Sequence, residues 1–502
     1  MVGCVEAAGG GALRAAGAVG RGRFVFWRMS VVAFSKPLAV KDSPIAGLKV
    51  IDLSVFGDNR GWFKENWQRE KLVALGLDDF GPVQNNISFN AQAGVTRGLH
   101  AEPWDKFISV ASGSVFGAWC DLRSGSATYG QVFTTVITPD VAVFVPRGVA
   151  NGFQALEPTA YTYLVNDHWS ADAQYSFVNL ADPALGIAWP IPLDEAELSD
   201  KDKQHPVLAD AVPVAAKKVL IIGADGQLGT ALSALLPDAE VSTSADLDLT
   251  AGYEVLRDNR RWADYATIIN AAAYTAVDQA ETTEGKKLAW AVNAGGVAAL
   301  ARIATEFRIT LVHVSSEYVF DGSAPVHTEQ EALSPLGVYG QTKAAGDIAA
   351  ASTPKHYIVR TSWVVGEGNN FVRTMVNLAH KGVSPAVVDD QVGRLTFTQD
   401  LAAGITHLLD TQAPFGTYNL SNTGDVVSWA QVAKLCYQYA GHDPAMVSTT
   451  TTAEYFAGKD NISPRPLRSE LDLSKITAAG FHPRDWRDVL PDYIAGYLAQ
   501  LA

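Results

Sequence analysis

The sequence predicts two domains of different class in one chain, an all-β sandwich or barrel followed by an α/β domain with a doubly wound parallel sheet. Three observations carry this. At 502 residues the chain exceeds the roughly 250–300 residues over which a single hydrophobic core keeps growing. From about Ile45 to Trp189, short apolar or alternating runs such as SVFGAWCDL, GQVFTTVITPD and AYTYLVNDHW are broken by Gly, Asn, Asp and Pro, with almost no helical period. Beyond Lys217, continuous β-branched runs (KVLIIGA, ATIINAAA, ITLVHVSS, HYIVRTSWVV) alternate with helical stretches such as LAWAVNAGGVAALARIATEF, as strands buried on both faces require.

Residues 1–28 are rich in Gly, Ala and Arg, lack Asp and end in the patch Phe24 to Trp27 before Met29. An over-extended start is the plainer expectation and a transit-like leader the other. Residues 1–44 are therefore set apart as leader or over-extended start and entry segment. The β domain is placed at 45–205, and a polar, then Ala/Pro/Val-rich linker at 206–216. The α/β domain is placed at 217–502.

A balance of 48% apolar and 18% charged residues excludes a disordered chain. The net charge of -14 argues against a nucleic-acid backbone as partner, since phosphate binding needs clustered Lys and Arg. Cys4, Cys120 and Cys436 show no disulfide or zinc spacing, so no metal site is indicated and the cytoplasm fits best. No apolar run reaches the ~18 to 20 residues of a membrane helix, so a soluble chain is expected.

The chemistry of the second half starts at Gly223-Ala-Asp-Gly226-Gln-Leu-Gly229. These glycines follow a strand and open a helix, where the backbone turns tightly and a pyrophosphate sits at the helix N-terminus. Tyr339 and Lys343, in VYGQTK, are four apart and share a helix face. An ammonium beside a phenol is expected to lower its pKa, toward proton donation to a carbonyl during hydride addition. Ser316, at the end of the buried strand ITLVHVSS, is placed to hold that carbonyl. Asp246 and Asp248 stand about 20 residues past the turn, where an acid favours the free ribose of NAD. Ser242, Thr243 and Ser244 offer hydroxyls to a 2'-phosphate instead. Arg360 and Trp363 lie at a strand end facing substrate, and Arg465 and Arg468 suit a diphosphate.

Residues 217 to 502 resemble the dTDP-4-dehydrorhamnose reductases through GADGQLG, DLDLT, NAAAYTAVDQAE, AVNAGG, SSEYVFDG, VYGQTKAAGD, VRTSWVVGEGNNFV, VDDQVGRLT and RPLRSELD. The resemblance implies an extended short-chain dehydrogenase with a Rossmann domain and a small substrate lobe. It implies Ser316, Tyr339 and Lys343 as the catalytic set. The cofactor is implied against Gly223, Gly226, Gln227, Leu228, Gly229, Asp246, Asp248, Ala271, Ala272, Tyr339 and Lys343. NADPH is expected, NADH is the alternative, and Mg2+ is an optional assistant as in some relatives. Ser316-Glu317 replaces the family's usual Thr-Asp, and Leu395 its Pro, a change expected in a loop near the sugar nucleotide.

Over about residues 45 to 205, FGDNRGWFKENW, QNNISFNAQAGVTRGLHAEPWDK, CDLRSGSATYG, VPRGVANGF, AYTYLVNDHW, DPALGIAWP and LSDKD resemble dTDP-4-dehydrorhamnose 3,5-epimerase, a cupin-type jelly roll. The resemblance implies His100 as base, Lys106 as enolate stabiliser, Tyr163 as acid and Asp182 as the carboxylate that orients the imidazole. Arg60 and Arg97 would hold the diphosphate, with Phe63 and Glu65 lining the nucleotide site. Departures are RGLHAE for the family's RGLHYQ, Gly117 for an Asp, and Asn151 for a His. They bear on pKa tuning, on the proton relay and on which of C3 and C5 epimerises.

The two resemblances together imply a bifunctional enzyme that epimerises a dTDP-linked 4-keto-6-deoxyhexose and reduces its C4 ketone to dTDP-L-rhamnose. The epimerase family further implies a homodimer. Three alternatives stay open: a reductase with a degenerate β domain, a reductase for a related deoxysugar nucleotide, and a non-catalytic NADP-binding regulatory subunit.

Overall fold

The computed structural model describes residues 36–171 and 173–501. The expectations for residues 1–28, Met29 and Cys4 lie outside the described residues. The chain divides into two compact units, Met1–Ala216 and Lys217–Ala502.

The strand ladders of the first unit are antiparallel. One sheet orders Ala39–Asp42, Lys49–Asp52, Val141–Val145, Lys106–Ser112, Thr159–Val165 and Gln84–Asn90; the other orders Ser176–Phe177, Thr96–Ala101, Val149–Ala155, Val115–Asp121 and Val132–Ile137. Successive side chains point to opposite faces. Ile108, Val143, Trp119 and Phe153 meet in one core cluster drawn from both sheets. Their neighbours Phe107 and Phe144 join Leu72, Leu77 and Phe80 in a second cluster. Ala118, Cys120 and Ala150 join Val178, Leu180, Ala211 and Val214 in a third. Inner strands such as Val149–Ala155 are therefore covered on both faces and read as continuous runs, whereas the edge strand Gln84–Asn90 leaves Ile87 and Phe89 exposed.

Residues 206–216 are not a free linker. Val214 is fully buried, pairs with Arg123 in an isolated bridge, and exchanges backbone hydrogen bonds with Leu122 and Ser124. Ala211 and Val214 of this stretch are packed into the β unit, while Val207 and Val212 are exposed.

In the second unit a six-stranded parallel sheet orders Glu240–Ser242, Lys218–Ile222, Tyr265–Asn270, Thr310–Ser316, His356–Thr361 and Gly416–Asn419. Leu220, Ile222, Ile268, Leu311 and Ile358 pack on one face with the helix Val297–Phe307. Ile221, Ile269, Val312 and Val359 pack on the other with Gln227–Leu235 and Thr398–Asp410. A separate cluster centred on Val372, Phe397, Tyr437 and Trp486 forms a smaller lobe. Leu395 lies in the short connection between the strands Val392–Gly393 and Thr396–Phe397 and is fully buried in this cluster.

Thr283–Phe307 forms one 25-residue helix long and apolar enough to cross a bilayer by length and composition, half of its apolar window being buried. Its Val297, Leu300 and Ile303 face the sheet core, the placement of a core helix.

Candidate active sites

The parallel sheet changes direction of build at Lys218–Ile222, whose neighbours on either side are the next two strands in sequence. A crevice opens at such a point beyond the strand C-termini. Here it is a cavity of about 800 Å³, walled by Gly223, Gly226, Ala271, Ala272, Ser316, Tyr339 and Lys343 among others. Two glycines are obligatory. Gly223 has φ +80°, and a Cβ there would lie 2.7 Å from the Ala272 nitrogen. A Cβ on Gly229 would lie 2.0 Å from the Gly223 carbonyl oxygen, so helix Gln227–Leu235 can approach the turn only without it. Gly226 is the N-cap, with no side chain to compete for the first free N–H groups.

The cavity's own atoms fit a dinucleotide. The cradle is one that a Cβ would fill, and the Thr361 hydroxyl on the wall is buried without a partner. Gly229→Val is expected to weaken NADPH binding at least about tenfold, or about 1.4 kcal/mol, in a fluorescence titration. An unchanged affinity would refute the close-approach reading.

Ser316 ends strand Thr310–Ser316, and Tyr339 and Lys343 lie on helix Val338–Ala351. Glu281 anchors that helix, its carboxylate accepting from the Val338 N–H at 2.8 Å. Lys343 donates to the Val314 carbonyl at 2.7 Å. Burial pulls its ammonium down to about 8, against the charge of Asp347. Burial pushes the Tyr339 phenol up, the charge of Glu317 adds to this, and the Ser316 hydrogen bond opposes both. The net shift of the phenol is upward, opposite to the lowering expected from an adjacent ammonium. Tyr339 therefore holds its proton, which is the form that a proton donor to a ketone requires.

Glu317 follows Ser316 directly and is buried with it. It accepts the Ser316 hydroxyl at 2.7 Å, and burial raises its carboxyl to about 7 despite that bond. The folded state thus holds a proton that the unfolded chain, near 4.5, releases. Stability is retained below pH 4.5 and falls as pH rises from 4.5 through 7, by on the order of 3 kcal/mol. Glu317→Gln is expected to melt above wild type at pH 8 and lose that advantage at pH 4.5. An equal shift at both pH values would contradict a buried neutral carboxyl.

Other residues fall differently from expectation. Gln227 accepts from the Gly366 N–H at 2.9 Å and so ties the turn to the segment after Trp363. Leu228 is buried and touches the cavity. Asp248 lines the cavity and accepts from Thr250. Asp246 is absent from the wall, its carboxylate turned onto Thr243 by two 2.9 Å bonds. Trp363 is on the wall, stacked on Trp429 with centroids 3.7 Å apart. Arg360 is not on it: its guanidinium is buried against Asp347 at 2.9 Å, a structural pair. Arg465 is held by Asp278 at 2.8 Å, whereas Arg468 is exposed with no carboxylate partner among the described residues.

In the β unit, His100 comes from Thr96–Ala101 on one sheet, and Lys106 and Tyr163 from strands of the other. The Lys106 ammonium lies 5.7 Å from the Tyr163 ring centre. Burial pulls Lys106 down to about 7, and it pairs with Glu102, the acid that RGLHAE carries. Burial raises the Tyr163 phenol while Arg97 opposes.

The carboxylate on His100 is not Asp182. His100 Nε2 lies 2.9 Å from Asp202 Oδ1. Asp182 instead caps the turn Pro183–Leu185 through the Ala184 N–H and accepts from the Leu208 N–H. Its position is therefore a structural one. Asp202 sits in LSDKD, a motif present in the sequence but without a role there. Burial raises its carboxyl, yet the hydrogen bond from His100 and the charges of His100 and His205 prevail and hold it low.

Arg60 closes on Asp58, Glu65 on Lys71, and Phe63 is exposed. No hydrogen bond or ion pair joins these three to His100, Lys106 or Tyr163. Gly117 has a clear cause: the Trp119 ring, two residues along the same strand face, would lie 2.4 Å from a Cβ there. The indole thus occupies the space a side chain at 117 would need. Asn151, opposite His100 in the ladder, reaches the Tyr161 hydroxyl at 3.4 Å and leaves its own oxygen buried without a partner.

Residues 217–499 match the family model described as RmlD substrate binding domain, more than half of the chain. The chain belongs to that family. Residues 42–210 match the dTDP-4-dehydrorhamnose 3,5-epimerase model. The epimerase-type unit is 54% identical over 198 residues to the Protein RmlC homolog of Streptococcus pyogenes serotype M6, covering 38% of this chain and 99% of that one. The RmlD-type unit is 38% identical to the dTDP-4-dehydrorhamnose reductase of Aggregatibacter actinomycetemcomitans, covering 54% and 97%. Among solved structures, it is similar to a dTDP-4-dehydrorhamnose reductase from Clostridium acetobutylicum (35% identity, TM-score 0.52, covering 56% and 99%). It is also similar to the Bacillus anthracis enzyme in complex with NADP (33%, TM-score 0.51, again 56% and 99%).

Proposed function

We propose that the chain makes dTDP-L-rhamnose in two steps, 3,5-epimerisation of dTDP-4-dehydro-6-deoxy-D-glucose in the first unit and NADPH-dependent reduction of the C4 ketone in the second. The observation that carries this is the pairing in one chain of a dTDP-4-dehydrorhamnose 3,5-epimerase unit with an RmlD-type reductase unit. The product of the first reaction is the substrate of the second. The antiparallel sheets are read as a cupin-type jelly roll, and the parallel sheet as a Rossmann domain divided from it at Ala216.

In the first step Asp202 accepts the Nε2 proton of His100, leaving the Nδ1 lone pair to take the proton α to the ketone. The electron pair of that C–H bond passes to the carbonyl oxygen, where the Lys106 ammonium stabilises the enolate. Tyr163 returns a proton on the opposite face.

In the second step, bound NADPH supplies hydride for C4. Ser316 positions the ketone oxygen, and Tyr339 protonates it as charge develops. Lys343, fixed by Val314, would orient the cofactor ribose. Gly223 and Gly226 would hold the pyrophosphate, Gly229 lets the helix close on that turn, and Ser244 and Asp248 on the wall would hold the adenosine ribose.

The test uses the full chain. With the dTDP-4-keto sugar and NADPH it is expected to oxidise NADPH and give dTDP-L-rhamnose by NMR. No oxidation even with a separate active epimerase added would remove the reductase. Oxidation only with that addition would make the β unit a non-catalytic domain.

A further inference from the structure

We propose that His100, Asp202 and His205 form a binding site for a divalent transition-metal ion of the zinc class, and that its occupancy switches the epimerase base off. The second clause rests on His100 being that base. The sequence offers no zinc spacing, because the donors come from the strand Thr96–Ala101 and from the short helix Asp200–Lys203 and the residues after it.

Three donor atoms, one from each side chain, lie within 4.8 Å of one another. Asp202 Oδ1 is 2.9 Å from His100 Nε2 and 3.8 Å from His205 Nε2. Donors around a tetrahedral zinc ion, each about 2.0–2.1 Å from it, stand about 3.4 Å apart, so small rotations suffice. Two imidazoles and one carboxylate suit zinc, nickel or copper rather than magnesium or calcium, which take oxygen donors.

An independent observation points the same way. The His205 side chain is 5% exposed, and the polar neighbours of its ring are the Asp202 carboxylate at 3.8 Å and the Gly98 backbone, with no hydrogen bond of ordinary geometry to either nitrogen. A buried polar group so weakly partnered is costly, and an ion between the two rings would satisfy the His205 Nε2 lone pair. The rings already meet edge to face with centroids 5.3 Å apart, and His205 is held flat against Phe177 at 4.8 Å. The His100 side chain is 34% exposed, which leaves an entry path and an open fourth position.

The consequence for chemistry is a change of tautomer. Ligation needs the lone pair on His100 Nε2, so the proton there moves to Nδ1. No proton is lost overall. Nδ1 then carries a hydrogen and cannot accept the substrate's α proton.

The experiment takes the full chain, freed of metal with a chelator and dialysed, and titrates it with Co2+ alone. One equivalent is expected to give the visible absorption of a tetrahedral site, which Zn2+ then displaces. Zn2+ is expected to slow solvent-deuterium incorporation into the dTDP-4-keto sugar at least tenfold, with NADPH absent so that the reductase plays no part. His205→Ala and His205→Gln, each checked by circular dichroism, are expected to lose the band and to need at least tenfold more Zn2+ for the same inhibition. No band in the wild type, or an unchanged band in both variants, would overturn the site. A band that depends on His205 in a metal-free chain that exchanges no deuterium would keep the site and remove the epimerase reading.

Discussion

Tyr339→Phe is expected to lower turnover of ketone reduction by about 10³-fold, within the range for losing a positioned general acid and equal to about 4 kcal/mol of transition-state stabilisation. The ring is buried and meets Tyr318 edge to face at 5.4 Å, so removing one oxygen leaves the packing intact. NADPH affinity should stay within about threefold, because the change removes a proton donor and not the cradle. Stopped-flow oxidation of NADPH and a fluorescence titration measure the two quantities. Equal losses in both would make Tyr339 a binding residue. Retained turnover in the variant would also revive a non-catalytic, nucleotide-binding reading.

Asp202→Asn is expected to cut epimerisation by about 10³-fold, while Asp182→Asn leaves the rate within about threefold. An amide at 202 can donate its N–H to His100 Nε2 and so selects the tautomer whose proton sits on Nδ1, the wrong nitrogen for a base. At 182 the carboxylate caps Ala184 and holds Leu208, so its loss should cost about 1 kcal/mol of stability, the usual worth of a helix cap. Deuterium exchange in the dTDP-4-keto sugar and thermal melting separate the outcomes. If the rate loss followed Asp182 and not Asp202, the hydrogen bond seen at 2.9 Å would not be the functional one.

The contrast between these two aspartates marks where reading along the chain stops. Asp182 sits in DPALGIAWP and Asp202 in LSDKD, and both are acids in quoted motifs. What separates them is a contact across 102 residues of sequence. Arg360 shows the same limit. An arginine at a strand end is a fair substrate ligand by position, but Asp347, thirteen residues earlier, claims it in the core.

By itself the sequence determined the family of each half, the order of the two activities, and the short-range features that spacing dictates. The glycine turn and the Tyr339/Lys343 helix face are of this kind, because a few neighbouring dihedral angles decide them. Only the tertiary structure decided which acid meets His100, that Val214 packs and does not link, that Glu317 keeps its proton up to about pH 7, and that burial raises the Tyr339 phenol. Each of these depends on burial or on partners far away in the chain. Desolvation and long-range pairing set charge states and side-chain partners, and neither leaves a periodic trace in the residues that carry it.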